Sequence, residues 1–285
     1  MRNVGVDIAG IRATLTASSA AFALTIGAAL PPSAPAVAAS DTPSSASAMP
    51  ADAAPLASTP APQPPTTAAI TPSIAPNRLG TRGSLTLTVH YSGGAFGVPA
   101  PVRHSVLRLP LGLSLDIPVL RSCSAASLRA RGARGCPIQS QLGVGSALVE
   151  THAGTENITE TARLWTFLGP PDILNPTFEI LAQGYTPLEE RKVFSGTVLP
   201  GKAPYGEELV LSVPPIPTLV FEPDASVVSF TLTIGASGPR RTGAPPARIL
   251  TPRHCPRGGF PFAAEFTYAD GSNSSALATT PCPRR

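Results

Sequence analysis

Lysine appears only twice in this 285-residue chain, charged residues of all kinds make up 13%, and aromatic residues 5% with a single Trp. So little charge excludes a coiled coil or a conventional helical bundle, whose outer faces must be solvated, and 35 Pro and 25 Gly cut the chain into short extended pieces. The chain has no HExxH and no i, i+4 histidine pair, so nothing marks a metalloprotease. It has no CxxC zinc pair and no GxSxG nucleophile elbow. A membrane-spanning reading of the N-terminal apolar run is the weaker one. The best apolar run, Leu15 to Leu30, already contains Thr16, Ser18, Ser19 and Thr25, whereas a bilayer asks for about 20 apolar residues.

Several features are positively present. Arginine outnumbers lysine 19 to 2 and alanine is abundant, a bias expected of a GC-rich genome, so bulk composition says little about function. Arg2 and Arg12 lie in a short basic start, Ala20 to Leu30 is apolar, and Ala36-Val37-Ala38 offers the small residues a signal peptidase needs. The reading is a signal peptide over 1–38, a mature chain beginning at or near Ala39, and a secreted or cell-envelope location. No Cys follows the apolar run, no twin Arg precedes it, and Pro281 to Arg285 carries no sorting motif, so no covalent anchor is expected. From Ala39 to Asn77, 31 of 39 residues are Ala, Pro, Ser or Thr, with Asp41 and Asp52 the only charges. Such a stretch buries too little apolar surface to offset its ordering entropy, and it reads as a disordered linker over 39–77 reaching at most about 120 Å.

The folded part then runs over 78–285, with 19 basic and 14 acidic side chains. Its periodicity is that of strands. Leu85, Leu87, Val89 and Tyr91 alternate with Thr86, Thr88 and His90; Val228, Phe230, Leu232 and Ile234 alternate with Ser229, Thr231 and Thr233. Phe262, Ala264, Phe266 and Tyr268 repeat the pattern before Asp270-Gly271, a hairpin dipeptide, with Asn273 to Thr280 as the returning strand. Further strands are expected over 104–109, 141–150, 161–168, 177–182, 192–199, 207–213 and 218–221. About ten short strands with Gly and Pro punctuation predict an all-β fold, an antiparallel β-sandwich of one or two units.

One segment departs from this pattern. Ser124 to Arg131 lacks β-branched residues and meets Gly132 and Gly135, which predicts one short helix with a glycine stop between Cys123 and Cys136. Four cysteines in an exported chain should form two disulfides, and the sequence-local pairing, Cys123 with Cys136 and Cys255 with Cys282, is favoured over the other two connectivities. His254 merely adjoins Cys255, so no metal site is expected.

Leu109-Pro110-Leu111-Gly112-Leu113, then Cys123, Leu128, Cys136-Pro137, Ser140, Gly143 and Gly145-Ser146-Ala147, form the pattern LPxGL, C, L, CPxxSxxGxG. Cys255-Pro-Arg-Gly-Gly-Phe-Pro-Phe followed by Tyr268-Ala-Asp-Gly271 and Cys282 is its C-terminal companion. Together they resemble a group of exported β-rich proteins of GC-rich Gram-positive bacteria, over most of Leu85 to Cys282. The resemblance implies an exported β-rich domain and brings no catalytic residues with it.

The search for chemistry gives little. Gly143-Val144-Gly145 and Gly93-Gly94-Ala95-Phe96-Gly97 are read as turns, since neither completes a phosphate loop. Gly235-Ala236-Ser237-Gly238 is read as a loop. Glu189-Glu190, Glu207-Glu208, Glu156 with Glu160, and Glu222 with Asp224 could supply the acid pair of a glycosidase, but neighbours on a strand point to opposite faces, and solvated surface is the simpler reading. Arg129, Arg131 and Arg134, in a stretch free of acids, form a candidate anion-binding site, and a second arginine tract follows at Arg240, Arg241, Arg248, Arg253 and Arg257. Nucleic acid is not expected, because neither tract is interleaved with aromatics. Trp165 between Leu164 and Phe167 is read as core. The sequence thus predicts a non-enzymatic structural or adhesive protein without cofactor. The alternatives are a module binding a cell-wall polymer or anionic glycan, and an extracellular glycan-active hydrolase. No stable membrane span is expected after signal cleavage.

Overall fold

The computed structural model describes residues 63–285, apart from 117–120, 173–174, 186–188, 219–222, 236–247 and 284–285. The expected signal peptide and the linker up to residue 62 lie outside the described residues, as do Arg240 and Arg241 of the second basic tract and most of the strand expected over 218–221.

The described residues form thirteen strands: β1 Thr67–Ala75, β2 Arg82–Ser92, β3 Val102–Pro110, β4 Ser114–Asp116, β5 Gln141–Ala153, β6 Glu156–Leu168, β7 Thr177–Gly184, β8 Arg191–Pro200, β9 Tyr205–Ser212, β10 Ser226–Ile234, β11 Arg248–Leu250, β12 Phe260–Tyr268 and β13 Asn273–Thr280. Among the described residues there is one α-helix, α1 Ala125–Arg131, between Cys123 and Cys136. All strands belong to one antiparallel sheet in the order β13-β12-β3-β9-β8-β7-β6-β5-β10-β2-β11-β4, with β1 on the free side of β2. The choice between one and two β units is thereby resolved as one continuous sheet.

The sheet rolls over on itself. Tyr91 of β2 and Phe266 of β12, far apart in the strand order, meet edge to face with ring centres 5.1 Å apart. At the seam β13 runs beside β1, where the Thr280 hydroxyl donates to the Pro72 carbonyl at 3.3 Å. The alternation read from the sequence sets which side chains face inward. Leu85, Leu87, Val89 and Tyr91 are buried, while Thr86 and Thr88 on the opposite face hydrogen-bond across to Thr233 and Thr231 of β10 at 2.9 and 3.0 Å.

Strand β1 corrects the expected linker boundary. Thr67 to Ala75 lie in the Ala/Pro/Ser/Thr-rich stretch, yet Ile70 and Ile74 are buried, Ala68 packs beside them, and all nine residues pair in register with β2. Small side chains at every second position suffice when a neighbouring strand supplies the apolar partner, and Pro72 is tolerated because β1 ladders on one side only. A second correction concerns Gly143-Val144-Gly145, read as a turn but lying within β5. A Cβ at Gly143 or Gly145 would run into the carbonyls of Thr233 and Thr231 on β10, so glycine there permits the close approach of the two strands.

Helix α1 forms as its residues dictate. The Ser124 hydroxyl accepts from the Ser127 amide at 3.2 Å, and Gly132 ends the helix at φ 61°. Leu128, fully buried, plugs onto Phe167, Leu181 and Val193 on the outer face of β6, β7 and β8, with Trp165 partly buried beside them. Both disulfides join the expected partners, with Cα atoms 5.3 Å apart for Cys123–Cys136 and 5.8 Å for Cys255–Cys282.

Candidate functional site: an apolar cavity inside the sheet

Two apolar clusters fill the roll. One gathers residues of β1, β2, β3, β12 and β13 around Tyr91, Phe262, Phe266 and Tyr268; the other gathers Leu142, Ala162, Leu164, Phe178, Ile180 and Phe194 from β5 to β8. Between them remains a cavity of about 250 Å³. Leu85 and Leu87 of β2, Leu109 of β3, Phe178 of β7, Val198 of β8 and Leu209 of β9 line it. The short strands β4 and β11, which pair with each other, add Leu115 and Ile249 to the lining, and Leu113 just before β4 joins them. Leu109 and Leu113 are the two outer leucines of the LPxGL motif, so that motif contributes directly to the cavity wall. A second, smaller space of about 90 Å³ lies towards the other end, between Tyr91, Val149, Leu164 and Phe230, and Leu232 borders both.

Few polar groups line the larger cavity. Thr166, on the inner face of β6 two residues from Leu168, is 2% exposed, and its hydroxyl has no hydrogen-bond partner. A buried hydroxyl left unpaired is costly, about 1–3 kcal/mol, and the Thr166 oxygen is closed to water from every side, the cavity included. Glu207, at the start of β9, is half-buried among the same residues, and burial pushes its carboxyl above the ordinary carboxylate range. Ser114 of β4 completes the polar lining together with Thr177, whose hydroxyl already donates to the Pro170 carbonyl.

The carboxylates read as solvated surface fall into several environments. Glu207 and Glu208 point to opposite faces as strand geometry requires: Glu207 enters the cavity, whereas Glu208 pairs with Arg108 at 3.0 Å on the outer face. Arg108 also holds Glu265 at 2.6 Å, which keeps the Glu265 carboxyl below its ordinary range. Glu156 and Glu160 lie four residues apart on β6, about 13 Å along a strand, too far to flank one glycosidic bond. Glu160 is raised by burial first and by Glu190 second, and Lys192 binds Glu190 at 2.6 Å. Asp224 pairs with Arg103 at 2.6 Å, and Glu222 lies outside the described residues. Sequence adjacency missed Glu179, which is 6% exposed under α1, raised chiefly by burial, and accepts from the Ser195 hydroxyl at 2.7 Å.

The arginine site is arranged differently from a helical cluster. Arg129 and Arg131 stand exposed on the last turn of α1, whereas Arg134 lies beyond the Gly132 stop in the following 3-10 turn, so Arg131 and Arg134 share no helix face. Arg191 of β8, 57 residues beyond Arg134 in the chain and so invisible to a reading of local charge, packs over Gly132 and donates to the Arg129 carbonyl at 3.4 Å, while Arg131 donates to the Gly135 carbonyl at 3.4 Å. Part of this positive charge therefore serves the free carbonyls at the C-terminal end of α1. Among the described residues no group of His, Cys, Asp and Glu is placed to hold a metal. His152 instead stacks on Phe96, with ring centres 4.1 Å apart.

Compared with protein-family models, with curated proteins and with solved structures, the chain matches none.

Proposed function

We propose that the folded part is a non-enzymatic binding protein that works outside the cytoplasm and holds a small apolar molecule inside its rolled sheet. The observation that carries this reading is the cavity of about 250 Å³ between the two core clusters, walled mainly by aliphatic side chains. A well-packed interior leaves few voids larger than a water molecule, so a gap of this size needs an occupant or a reason. Its volume lies just below the usual range of ligand pockets and above that of a dry cavity able to take up benzene. The two disulfides support an oxidising compartment, in keeping with the signal peptide read over 1–38.

The test uses naphthalene, a ten-carbon hydrocarbon, followed by its fluorescence anisotropy. The wild-type protein is expected to bind it, and Leu232→Phe, which fills the border between the two cavities, is expected to weaken binding while leaving the far-ultraviolet circular dichroism unchanged. Absence of naphthalene binding to the wild type would overturn the reading. For location, intact-mass measurement of protein from the native host is expected to show a chain beginning at or near Ala39; a mass that retains Arg2 and Arg12 would overturn export with cleavage.

A second reading has its own observation. Arg129, Arg131 and Arg134 lie on the segment clamped by Cys123–Cys136, and Arg191 of β8 reaches the end of α1 beside them. That surface suits an anionic wall polymer. Binding to purified cell walls that falls as salt rises, and falls again in the Arg131→Ser/Arg134→Ser double variant, is the expected result; salt-insensitive binding would leave those arginines as helix caps alone.

A further inference from the structure

We infer that one end of the rolled sheet, the end formed by the β1–β2, β3–β4, β8–β9 and β11–β12 connections, docks on an anionic lipid bilayer, its exposed leucines entering the interface and its arginines meeting the headgroups. This surface is separate from the cavity and from the arginines at α1, and depends on neither.

The strand registers define that end. Every pair is antiparallel, so connections alternate between the two ends of the sheet. Ala75 beside Ser84, Leu250 beside Arg82 and Ser114, Pro200 beside Glu207 and Leu109 beside Glu207 put residues 76–82, 110–116, 201–204 and 248–259 at the same end, together with the β6–β7 connection.

Charge is divided between the two ends. At this one stand Arg78, Arg82, Lys202, Arg248, Arg253 and Arg257 against Asp116 and Asp172. At the other stand Glu156, Glu160, Glu189, Glu190, Asp224 and Asp270 against Arg103, Arg191 and Lys192. Arg82 is paired with Asp116, but Arg78, Lys202, Arg253 and Arg257 have no ion-pair partner among the described residues. A negative surface therefore attracts this end and repels the other, which fixes the orientation of approach.

Apolar side chains stand among these cations. Leu111 is 65% exposed at the β3–β4 turn, and Leu79 and Leu250 are each 38% exposed. Their backbone is already held. The hydroxyl of buried Thr251 donates to the Arg78 carbonyl at 2.8 Å and its amide to the Thr81 carbonyl at 3.0 Å, on either side of Leu79. The Gly80 amide donates to the Pro252 carbonyl at 3.0 Å, the Leu111 amide donates to the Pro204 carbonyl at 3.2 Å, and a Cβ at Gly112 would meet Pro252. Three connections are thus knitted around residues 251 and 252, and little ordering remains to be done on binding. Aliphatic side chains beside cations match the two layers of a bilayer surface, hydrocarbon below and anionic headgroups above. A soluble anionic polymer offers only the charge and leaves the leucines in water, so a bilayer is the better fit.

The experiment is co-sedimentation of the full chain with vesicles of phosphatidylcholine alone and of phosphatidylcholine with phosphatidylglycerol in equal parts. Binding is expected on the phosphatidylglycerol vesicles and is expected to weaken as salt rises. Arg253→Ser/Arg257→Ser and Leu111→Ser/Leu250→Ser are each expected to weaken it about tenfold. Phe96→Ser/Ile158→Ser, at the acidic end, is expected to leave it unchanged. Every variant retains the same N-terminal apolar run, so binding by that run is common to all and drops out of the comparison. Leu111→Trp is expected to strengthen binding, because Trp favours the membrane interface, and this gain tests the surface without relying on a loss. Equal binding to phosphatidylcholine vesicles, no change in either double variant at the basic end, or no gain with Leu111→Trp would overturn the assignment. A loss with the arginine pair and none with the leucine pair would overturn it in favour of an anionic polymer.

Discussion

The two halves of the interior solve the same problem with different side chains. Where β1, β2, β3, β12 and β13 meet, large rings fill the space: Tyr91 is set edge to face against Phe266 at 5.1 Å and Tyr268 at 6.3 Å, and the Tyr268 hydroxyl finds Ser274 at 2.6 Å. Around β5 to β9 the inward positions are mostly Leu, Ile, Val and Ala, and a cavity remains. Aromatic rings span the gap between facing strands, and short aliphatic side chains do not. The difference teaches that a void in a rolled sheet follows from residue choice within a shared backbone plan, since both halves have the same antiparallel pairing and the same alternation.

The comparison can be broken first by truncation. Phe262→Ala in the aromatic half, at 1% exposure, is expected to cost about 3–5 kcal/mol in urea unfolding. Leu209→Ala in the cavity wall is expected to cost about 2 kcal/mol, because one side of that leucine already lacks packing partners. Equal costs would mean that the two halves are equally packed. The opposite change sharpens the contrast: Leu209→Phe should be neutral or stabilising where a cavity receives the extra atoms, although overpacking a filled core costs about 1–3 kcal/mol.

The disulfides give the next largest effect. Replacing Cys255 and Cys282 by Ser opens a loop with a sequence separation of 27 and should cost about 3.5 kcal/mol, whereas opening Cys123–Cys136, separation 13, should cost about 3 kcal/mol. The two bridges serve different regions, the first tying the base of the β12–β13 hairpin in the aromatic half and the second clamping α1 over the outer face of the aliphatic half. Unfolding of each double variant by urea checks both values, and a larger loss at Cys123–Cys136 would show that α1 holds the sheet together more than its loop length suggests.

How legible all this was in the sequence depends on whether the signal is local. Ten of the expected strands, the hairpin at Asp270-Gly271, the helix stop at Gly132 and both disulfides rest on neighbours in the chain, and each is found. Strand β1 was hidden because Ala68, Ile70 and Ile74 become a core face only beside β2, and β4 and β11, three residues each, are too short to show a period. The cavity could not be read at all. Leu85, Leu109 and Leu209 look like any inward residues, and whether their tips meet depends on the curvature of the whole sheet. Glu207 was half legible: adjacency to Glu208 placed the two on opposite faces, but not which face was dry.

The smallest expected effect concerns that same residue. In the folded protein burial raises the Glu207 carboxyl above its ordinary value, so between the unfolded and folded values the native state carries more protons than the unfolded chain. Stability then falls as pH rises through this window, because the unfolded state gives up its proton first and gains from ionising in water. Glu160 and Glu179 are raised by burial in the same sense, and Glu265 and Asp270, lowered by Arg108 and by Ser272 respectively, act oppositely, losing their contribution as pH falls below the ordinary carboxylate range. Glu207→Gln retains the shape and removes one of the three raised groups. It is expected to flatten the loss of stability above the ordinary carboxylate value and to raise stability slightly at neutral pH, the gain being limited because Glu207 is only half-buried. Urea unfolding of wild type and variant from pH 4 to pH 8 measures the difference. An unchanged slope would mean that Glu207 meets water as freely in the fold as outside it, and that the cavity is wetter at this end than its leucines suggest.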